Sequence, residues 1–261
     1  MRTISLKDLL EAGCHFGHQA RKWQPAMAEY IYTKQDKIHI FDLAKTKQKL
    51  EEAADFIKTT AAKGGKVLFV GAKRQAKGVV SEICESRGIP YLTKRWLGGL
   101  FTNWVEVKKN LEYLRNLEKR LADEDEKAKY TKKEVHLWEK KRGKMMKLYG
   151  GIKEMTELPA AVFIVDSRKN ADTVREARSK GIPIIAICDT DNDPKKVDYP
   201  IPANDDAVGS IKIITEYLAE AYEEGREMGE KVRVKNDKIQ MAQPKAGPPR
   251  AENDKSMTNV K

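Results

Sequence analysis

Four short apolar runs recur along this chain, and they constrain its fold more than any other feature. They cover residues 67–70, 89–92, 161–165 and 182–188. Segments whose apolar residues have helical spacing lie between or beside them, over 43–62, 72–86, 171–179 and 206–224. Strands that are apolar throughout are buried on both faces, which is typical of a parallel sheet covered by helices. The pattern therefore predicts an α/β protein.

Residues 105–157 interrupt this alternation and predict an inserted helical hairpin. Apolar residues three or four apart form one narrow stripe over 107–121, and a second stripe follows the polar reversal ADEDEKAKYTKKE. Each stripe is wide enough for a single partner helix, which favours an antiparallel coiled coil. The predicted parts are a helix and irregular arm (1–28), a first α/β part (29–104), the hairpin (105–157), a second α/β part (158–228) and a disordered basic, Pro-rich tail (229–261).

The charge of the chain favours a polyanionic partner. Fifty Lys and Arg against 39 Asp and Glu give a formal net charge of +11. Nucleic acid or an anionic membrane surface would fit such an excess. No run approaches the ~18 apolar residues needed to span a bilayer, and the charged start MRTISLKDLLEAG is unlike a secretory signal. Three widely spaced cysteines fit no disulfide framework, so we expect a reduced, cytoplasmic protein without membrane partners.

Two loop sequences share a composition that favours RNA. ARKWQP (20–25) and TKRWLGGLFTNW (93–104) place cations beside tryptophan, together with proline or glycine. Cations neutralise phosphates, and aromatic planes stack on unpaired bases. The residues predicted to bind RNA from these segments and from the stretch after residue 71 are Arg21, Lys22, Trp23, Lys73, Arg74, Lys94 and Arg95. The alternative is that the tryptophans cover the sheet end while the cations are solvated.

The motifs of common nucleotide enzymes and hydrolases are absent. The chain contains no G-x-G-x-x-G after a strand, no G-x-x-x-x-G-K-[ST] and no G-x-S-x-G. Gly71 does lie between a predicted strand and a helix start, where backbone N–H groups could hold a phosphate, although one glycine is better explained by a tight turn. The alternative to RNA binding is a flavodoxin-like sugar-phosphate or nucleotide enzyme with its substrate near Gly71 and Asp189.

A metal site is the other chemistry that the sequence allows. We expect the N-terminal arm to fold back, so that His18 faces Asp189 and Asp205 at the carboxyl ends of the strands. One imidazole and two carboxylates could hold Zn²⁺. In the competing interpretation His18 hydrogen-bonds one aspartate and Asp205 caps the last helix. No cofactor is expected to be required.

Seven motifs carry a resemblance to a known family. They are GCHFGHQ (13–19), KIHIFDLAKT (37–46), LFVGAKRQA (68–76), RWLGGLFTNW (95–104), LPAAVFIVD (158–166), IPIIAICDTDNDP (182–194) and IPANDDA (201–207). Over about residues 3–226 the chain resembles the bacterial protein-two family of the small ribosomal subunit. The resemblance implies a flavodoxin-like three-layer α/β/α sheet with an inserted coiled-coil hairpin, and no catalysis or small-molecule substrate.

The resemblance also implies a function. It is that of a structural constituent of the small ribosomal subunit, acting in translation in the cytoplasm. Such a protein binds ribosomal RNA and neighbouring proteins, and helps to hold the large mRNA-binding protein one. Within RWLGGLFTNW the rings are then expected to be largely structural, with RNA-facing chemistry on Lys94, Arg95 and Asn103. Ala26 departs from the family, whose members usually have a lysine there, so any phosphate contact at that position is in doubt.

Overall fold

The structure is a computed structural model that describes residues 3–242, with side chains described as far as residue 233. The helices are α1 (Leu6–Glu11), α2 (Leu43–Ala62), α3 (Arg74–Arg87), α4 (Trp104–Ala122), α5 (Glu124–Ala128), α6 (Lys132–Tyr149), α7 (Ala171–Ser179) and α8 (Val208–Ala242). The strands are β1 (Phe16–Gln19), β2 (Ile31–Gln35), β3 (Ile38–Phe41), β4 (Val67–Val70), β5 (Tyr91–Leu92), β6 (Ala161–Val165), β7 (Ile184–Cys188) and β8 (Tyr199–Pro202). Short 3₁₀ helices include Ala20–Lys22, Pro25–Tyr30, Gly150–Ile152 and Pro194–Lys196.

Five parallel strands form the main sheet, in the order β5-β4-β6-β7-β8. Counted along the sheet-forming part of the chain, this is the order 2-1-3-4-5 of flavodoxin-like folds. The strand order reverses between β4 and β6, and in such folds functional groups collect at the carboxyl ends of the strands at this point. The predicted fold class is thereby confirmed.

The sheet separates two apolar cores, because successive side chains along a strand point to opposite faces. Val67 and Phe69 of β4 pack in the core that contains residues of α2, α3 and α8. Leu68 and Val70 pack in the other core, with residues of α7, the 93–104 segment and the first turns of α4. Helices and loops thus cover both faces, which makes the three layers.

A second, antiparallel sheet has the order β1-β3-β2. Its β2–β3 turn contains Asp36 and Lys37, both with positive φ (49° and 64°), as tight hairpin turns require. The arm that the sequence predicted as irregular therefore contains a strand, β1. This strand lies against the loop after β7, since a Cβ on Gly17 would come within 2.6 Å of Thr190.

Residues 104–152 form the insertion, whose two long helices contact each other. Arg120 of α4 lies over the Trp138 ring of α6 at 4.8 Å, and Lys141 of α6 lies 4.1 Å from the Tyr113 ring of α4. This order of contacts is that of an antiparallel pair. The coiled-coil packing of the pair stays a prediction.

Two elements differ from the sequence-based prediction. The edge strand β8 contains Pro200 and Pro202, and an edge strand tolerates them because it has a neighbour on one side only. Helix α8 continues to Ala242, so the predicted disordered tail begins too early at 229, and residues 243–261 of that tail lie outside the described residues. Among the described residues, no helix is long and apolar enough to cross a membrane.

Candidate functional site

Charged side chains converge at the carboxyl end of the parallel sheet. Lys73 follows β4, Asp166 follows β6, Asp189 follows β7, and Asp205 and Asp206 follow β8. Because the ends of parallel strands share one edge, groups far apart in sequence meet there. We use "carboxylate cluster" for the set His18, Lys73, Asp166, Asp189, Asp205 and Asp206.

Lys73 is the internal counter-ion of the carboxylate cluster. Its residue is 7% exposed, and its Nζ lies 2.6 Å from Asp205, 2.6 Å from Asp206 and 3.5 Å from Asp166. Burial lowers the pKa of Lys73, but the carboxylates, Asp205 first, raise it to a value above its usual range. The prediction that Lys73 binds RNA is therefore corrected, because its ammonium faces carboxylates instead of solvent.

His18 ties the N-terminal arm to the body, at the place that the sequence predicted. Its Nδ1 lies 3.0 Å from Asp189 Oδ1, and its Nε2 lies 3.5 Å from Asp206 Oδ2. Its backbone N–H also donates to Asp189 Oδ1 and to Thr190 Oγ1. The hydrogen bond that the imidazole donates to Asp189 raises the pKa of His18 to about 9 against the opposing effect of burial. The imidazole is therefore protonated near neutral pH.

The competing interpretation expected Asp205 to cap the last helix. Asp205 is instead buried in the carboxylate cluster. Asn204 makes the turn before α8 instead, because its Oδ1 accepts from the N–H groups of Asp206 and Ala207. Burial and the nearby carboxylates raise the pKa of Asp205 to about 8, while Lys73 acts to lower it. Burial and the neighbouring negative charges favour the neutral carboxyl, and the Lys73 ammonium favours the ionised form.

The predicted zinc ligands are brought together but already have partners. One ligand atom each from His18, Asp189 and Asp205 lies within 4.8 Å of the others. Tetrahedral zinc with bonds of ~2.0–2.1 Å needs its ligand atoms roughly 3.3 Å apart, and His18 Nδ1 and Asp189 Oδ1 are already 3.0 Å apart. His18 is hydrogen-bonded to Asp189, and Lys73 neutralises Asp205. The arrangement fits an ion-pair network, and zinc binding stays a prediction.

Gly71 has a packing role that disfavours the phosphate site of the alternative enzyme hypothesis. A Cβ at this position would lie 2.7 Å from a methyl group of Val80 and 3.4 Å from Ala76. The glycine therefore lets α3 approach the end of β4 closely. A phosphate entering this edge of the sheet would also meet the four carboxylates of the cluster, which repel it.

The loop before α4 is organised around one carboxylate, that of Glu176 on α7. It accepts hydrogen bonds from the Trp96 indole N–H (2.9 Å) and from the backbone N–H groups of Gly99 (2.8 Å), Phe101 (3.0 Å) and Thr102 (3.3 Å). Burial raises the pKa of Glu176, but these hydrogen bonds outweigh it, and the net pKa lies below the ordinary value. Sequence analysis missed Glu176, because it lies about 75 residues beyond the loop.

The rings of this loop are structural, as expected, and its cations are exposed. Phe101 is buried and packs edge-to-face on Trp96, with ring centroids 4.9 Å apart. Lys94, Arg95 and Asn103 are exposed. The side chains that the sequence assigned to RNA therefore face solvent, and their binding of RNA stays a prediction.

The arm presents the second predicted set of RNA-binding side chains. Arg21 and Lys22 are exposed on the 3₁₀ turn Ala20–Lys22. Trp23 is 38% exposed and lies edge-to-face with His39, with ring centroids 5.2 Å apart. The indole is thus partly available for stacking. Arg74 is also exposed, at the first residue of α3.

The β2–β3 hairpin adds exposed cations that sequence analysis missed. Lys34 and Lys37 line a groove together with Arg21, and Tyr32 of the same hairpin is 77% exposed. The sequence feature that could have revealed these cations is a pair of lysines around a tight turn. A tyrosine lies next to them, on a strand that is exposed along most of its length.

Comparison with known proteins gives two findings. A family model described as Ribosomal protein S2 matches residues 9–225. A protein of Fusobacterium nucleatum subsp. nucleatum, called small ribosomal subunit protein uS2, is 44% identical over 239 residues, covering 92% of this chain and 97% of that protein. The similarity therefore includes the arm, the main sheet, the inserted helices and the carboxylate cluster.

Proposed function

The chain belongs to the ribosomal protein S2 family, and we propose that it binds ribosomal RNA of the small subunit through its exposed basic segments. Its role in that family is structural rather than enzymatic, and its place of action is the ribosome. The near full-length match to a small-subunit protein is the observation that carries this function. The net charge of +11 fits a polyanionic partner.

The proposed RNA contacts are the exposed residues among those predicted from the sequence. Each offers a cation, an amide or a partly exposed ring to solvent, which suits contacts to phosphates, sugars and unpaired bases. They are Arg21, Lys22, Trp23, Arg74, Lys94, Arg95 and Asn103. Lys73 is left out because its ammonium is engaged inside the protein.

Small-subunit proteins are the second class of partner, and we assign the docking of protein one to the surface around the arm. Leu6 and Leu10 of α1 are 48% and 51% exposed, and Val208 at the start of α8 is 52% exposed. These helices adjoin, because a Cβ on Gly209 would lie 2.8 Å from the Ala12 carbonyl oxygen. Replacing Leu6 and Leu10 by Asp should reduce the capture of purified protein one; unchanged capture would refute this assignment.

The predicted Zn²⁺ would be held by His18, Asp189 and Asp205, with a water or a partner group as fourth ligand. The test is elemental analysis of protein that has been treated with a chelator and reloaded with zinc, comparing wild type with His18→Ala. Stoichiometric zinc in the wild type alone would support the site. Equal, substoichiometric zinc in both would exclude it and leave the ion-pair network.

RNA binding is tested by co-sedimentation of tagged protein with small subunits through a high-salt wash. We expect Arg74→Ala/Lys94→Ala/Arg95→Ala to be incorporated less well, because three exposed phosphate contacts are lost. Lys73 is kept, since removing one partner of a buried ion-pair network costs about 3–5 kcal/mol of stability, and that loss would obscure an effect on RNA binding.

The control for this experiment is Lys63→Ala/Lys119→Ala/Lys133→Ala, which removes the same charge from exposed positions elsewhere. Circular dichroism and thermal unfolding establish that both triple variants are folded. Incorporation of the first variant at the wild-type level would contradict the assigned RNA contacts.

A further inference from the structure

A groove with several cations contains none of the residues predicted to bind RNA. It runs between helix α7 and the loop that follows β7, and its volume is about 450 Å³. We call it the α7 groove; its charged lining residues are Arg168, Arg175, Arg178, Asp191, Asp193 and Lys196.

The α7 groove presents its cations to solvent. Positions 168, 171, 175 and 178 are three or four residues apart, so they share one face of α7 and the turn before it. The side chains of Arg168, Arg175 and Lys196 are 64%, 78% and 63% exposed, and Arg178 is exposed as well. Four cations line the groove against two carboxylates, which leaves it positive.

The cations of the groove form ion pairs, but they can still bind a further anion. Arg168 pairs with Asp191, and Lys196 lies 3.4 Å from Asp193. Arg175 lies 3.1 Å from Asp172 of its own helix, an exposed pair that contributes little and yields readily to another anion. Arginine presents a fork of donors that matches a phosphate group.

The groove is connected to both of the predicted RNA-binding loops. Gln24, which lines one wall, follows Trp23 of the arm, and its backbone N–H donates to the Thr190 carbonyl at 2.7 Å. Glu176, which lies between Arg175 and Arg178 along α7, holds the 93–104 loop. The groove therefore adjoins the arm through Gln24, and the helix that forms its other wall also holds the 93–104 loop.

We propose that the α7 groove binds a stretch of ribosomal RNA backbone that passes between the arm and the 93–104 loop, with Arg175 and Arg178 contacting phosphates. The proposal rests on the proposed function, since it names a further surface for the same RNA. The groove's four cations, together with the exposed Arg21 and Arg95, offer several separate phosphate contacts, which favours a phosphodiester chain over a short acidic protein segment.

The first test measures binding of purified full-length protein to small-subunit ribosomal RNA at several salt concentrations. Arg175→Gln/Arg178→Gln should bind about tenfold more weakly or worse, and its slope of log K against log salt should be smaller by about 2, one for each lost phosphate contact. The matched control Lys7→Gln/Lys212→Gln removes the same charge from two other helical positions with i,i+4 carboxylate partners. It should retain the wild-type slope.

Equal affinity and slope in the two double variants would overturn the groove proposal while leaving the proposed function standing. Failure of the wild type itself to bind this RNA would instead refute the proposed function, and the groove proposal with it. Circular dichroism checks that both variants keep the wild-type fold.

The second test identifies the partner inside assembled subunits. The three native cysteines are free and buried, so a cysteine introduced by Ala171→Cys can be labelled selectively with a short photo-crosslinker. We expect crosslinks to ribosomal RNA from position 171, and not from a Lys212→Cys control. Crosslinks from position 171 to protein alone, or no crosslinks at all, would overturn the proposal.

Discussion

Residues 93–103 contain no helix or strand, so their backbone N–H groups need acceptors other than the carbonyls of a regular element. Glu176 supplies that acceptor from α7, and both of its carboxylate oxygens are used. A single side chain thereby sets the shape in which Lys94, Arg95 and Asn103 are displayed. At the scale of one residue, the way in which the exposed cations Lys94 and Arg95 are displayed depends on the partly buried carboxylate of Glu176.

We predict that Glu176→Gln destabilises the protein by about 1–2 kcal/mol near pH 7, because an amide accepts through one oxygen only and leaves N–H donors unpaired. The pKa of Glu176 is lowered by folding, so its stabilising effect is present above the unfolded pKa of about 4.3 and is lost as pH falls through the folded value. Urea unfolding of both proteins at pH 7 and at successively lower pH measures this.

The control is Glu157→Gln, which changes an exposed carboxylate and should leave the free energy of unfolding within about 0.5 kcal/mol of the wild type. The interpretation of Glu176 fails if its variant loses no more stability than this control, or if the loss is the same at every pH.

At the scale of elements, helices α2 and α8 approach each other through glycine. A Cβ on Gly225 would lie 2.2 Å from the Lys58 carbonyl oxygen, and a Cβ on Gly229 would lie 2.4 Å from that of Ala62. Both contacts are to backbone, which cannot turn aside as a flexible side chain can. Glycine at these two positions therefore allows the two helices to pack closely together.

Gly225→Ala should destabilise the protein by about 1–3 kcal/mol, although alanine is the better helix former. The matched variant is Gly78→Ala in α3, where an added Cβ has no neighbour within 4 Å; it should stabilise the protein by about 0.5–1 kcal/mol. Thermal unfolding gives both values, and two changes of the same sign would contradict the packing argument.

The inserted helices are joined to the body by their bases, that is, by the helix ends nearest the sheet. Leu111 of α4 and Ile152 after α6 are buried in the same core as strand residues of the sheet. Removing residues 108–153 would therefore take apolar side chains out of the core, whereas removing 114–140 leaves the bases in place.

We predict that replacing residues 114–140 by a short Gly-Ser bridge keeps a cooperatively folded α/β body, because the contact of Lys141 with Tyr113 shows that the joined ends are close. The deletion of 108–153 should unfold at a lower temperature, since it also removes Leu111 and Ile152. Calorimetry compares the two. Loss of cooperative unfolding in the shorter deletion would mean that the insertion is part of the body's core.

At the scale of the whole molecule, charge is distributed unevenly. The chain carries a net charge of +11, yet the carboxyl end of its sheet gathers four carboxylates against two cations. Exposed cations lie on the arm, the β2–β3 hairpin, the 93–104 loop and α7, among other segments. A polyanion is thus attracted to the loops and repelled from the sheet edge.

We predict that the affinity of the whole protein for ribosomal RNA falls linearly on a plot of log K against log salt, because each neutralised phosphate releases counterions. Filter binding between ~50 and 200 mM salt should show a loss of several orders of magnitude if six or more phosphates are contacted. An affinity that does not change with salt would argue against binding through the exposed cations.

The sequence alone determined the elements whose signal is local. The apolar runs at β4, β6 and β7 and the bounds of α2 and α7 follow from periodicity and turn residues that lie within the segments themselves. The motifs likewise sufficed to predict the family. Strand β8, with its two prolines, and the second half of α8 lacked such a local signal, and both were missed.

Only the tertiary structure decided which charged groups face solvent. Lys73 and Arg74 are neighbours with the same kind of side chain, but Lys73 enters the carboxylate cluster and Arg74 remains exposed. The partner that draws Lys73 inward, Asp205, lies 132 residues away in the chain. Burial and ion pairing depend on groups that folding brings together from distant strands, so a local pattern cannot distinguish a buried cation from one that is free to bind RNA.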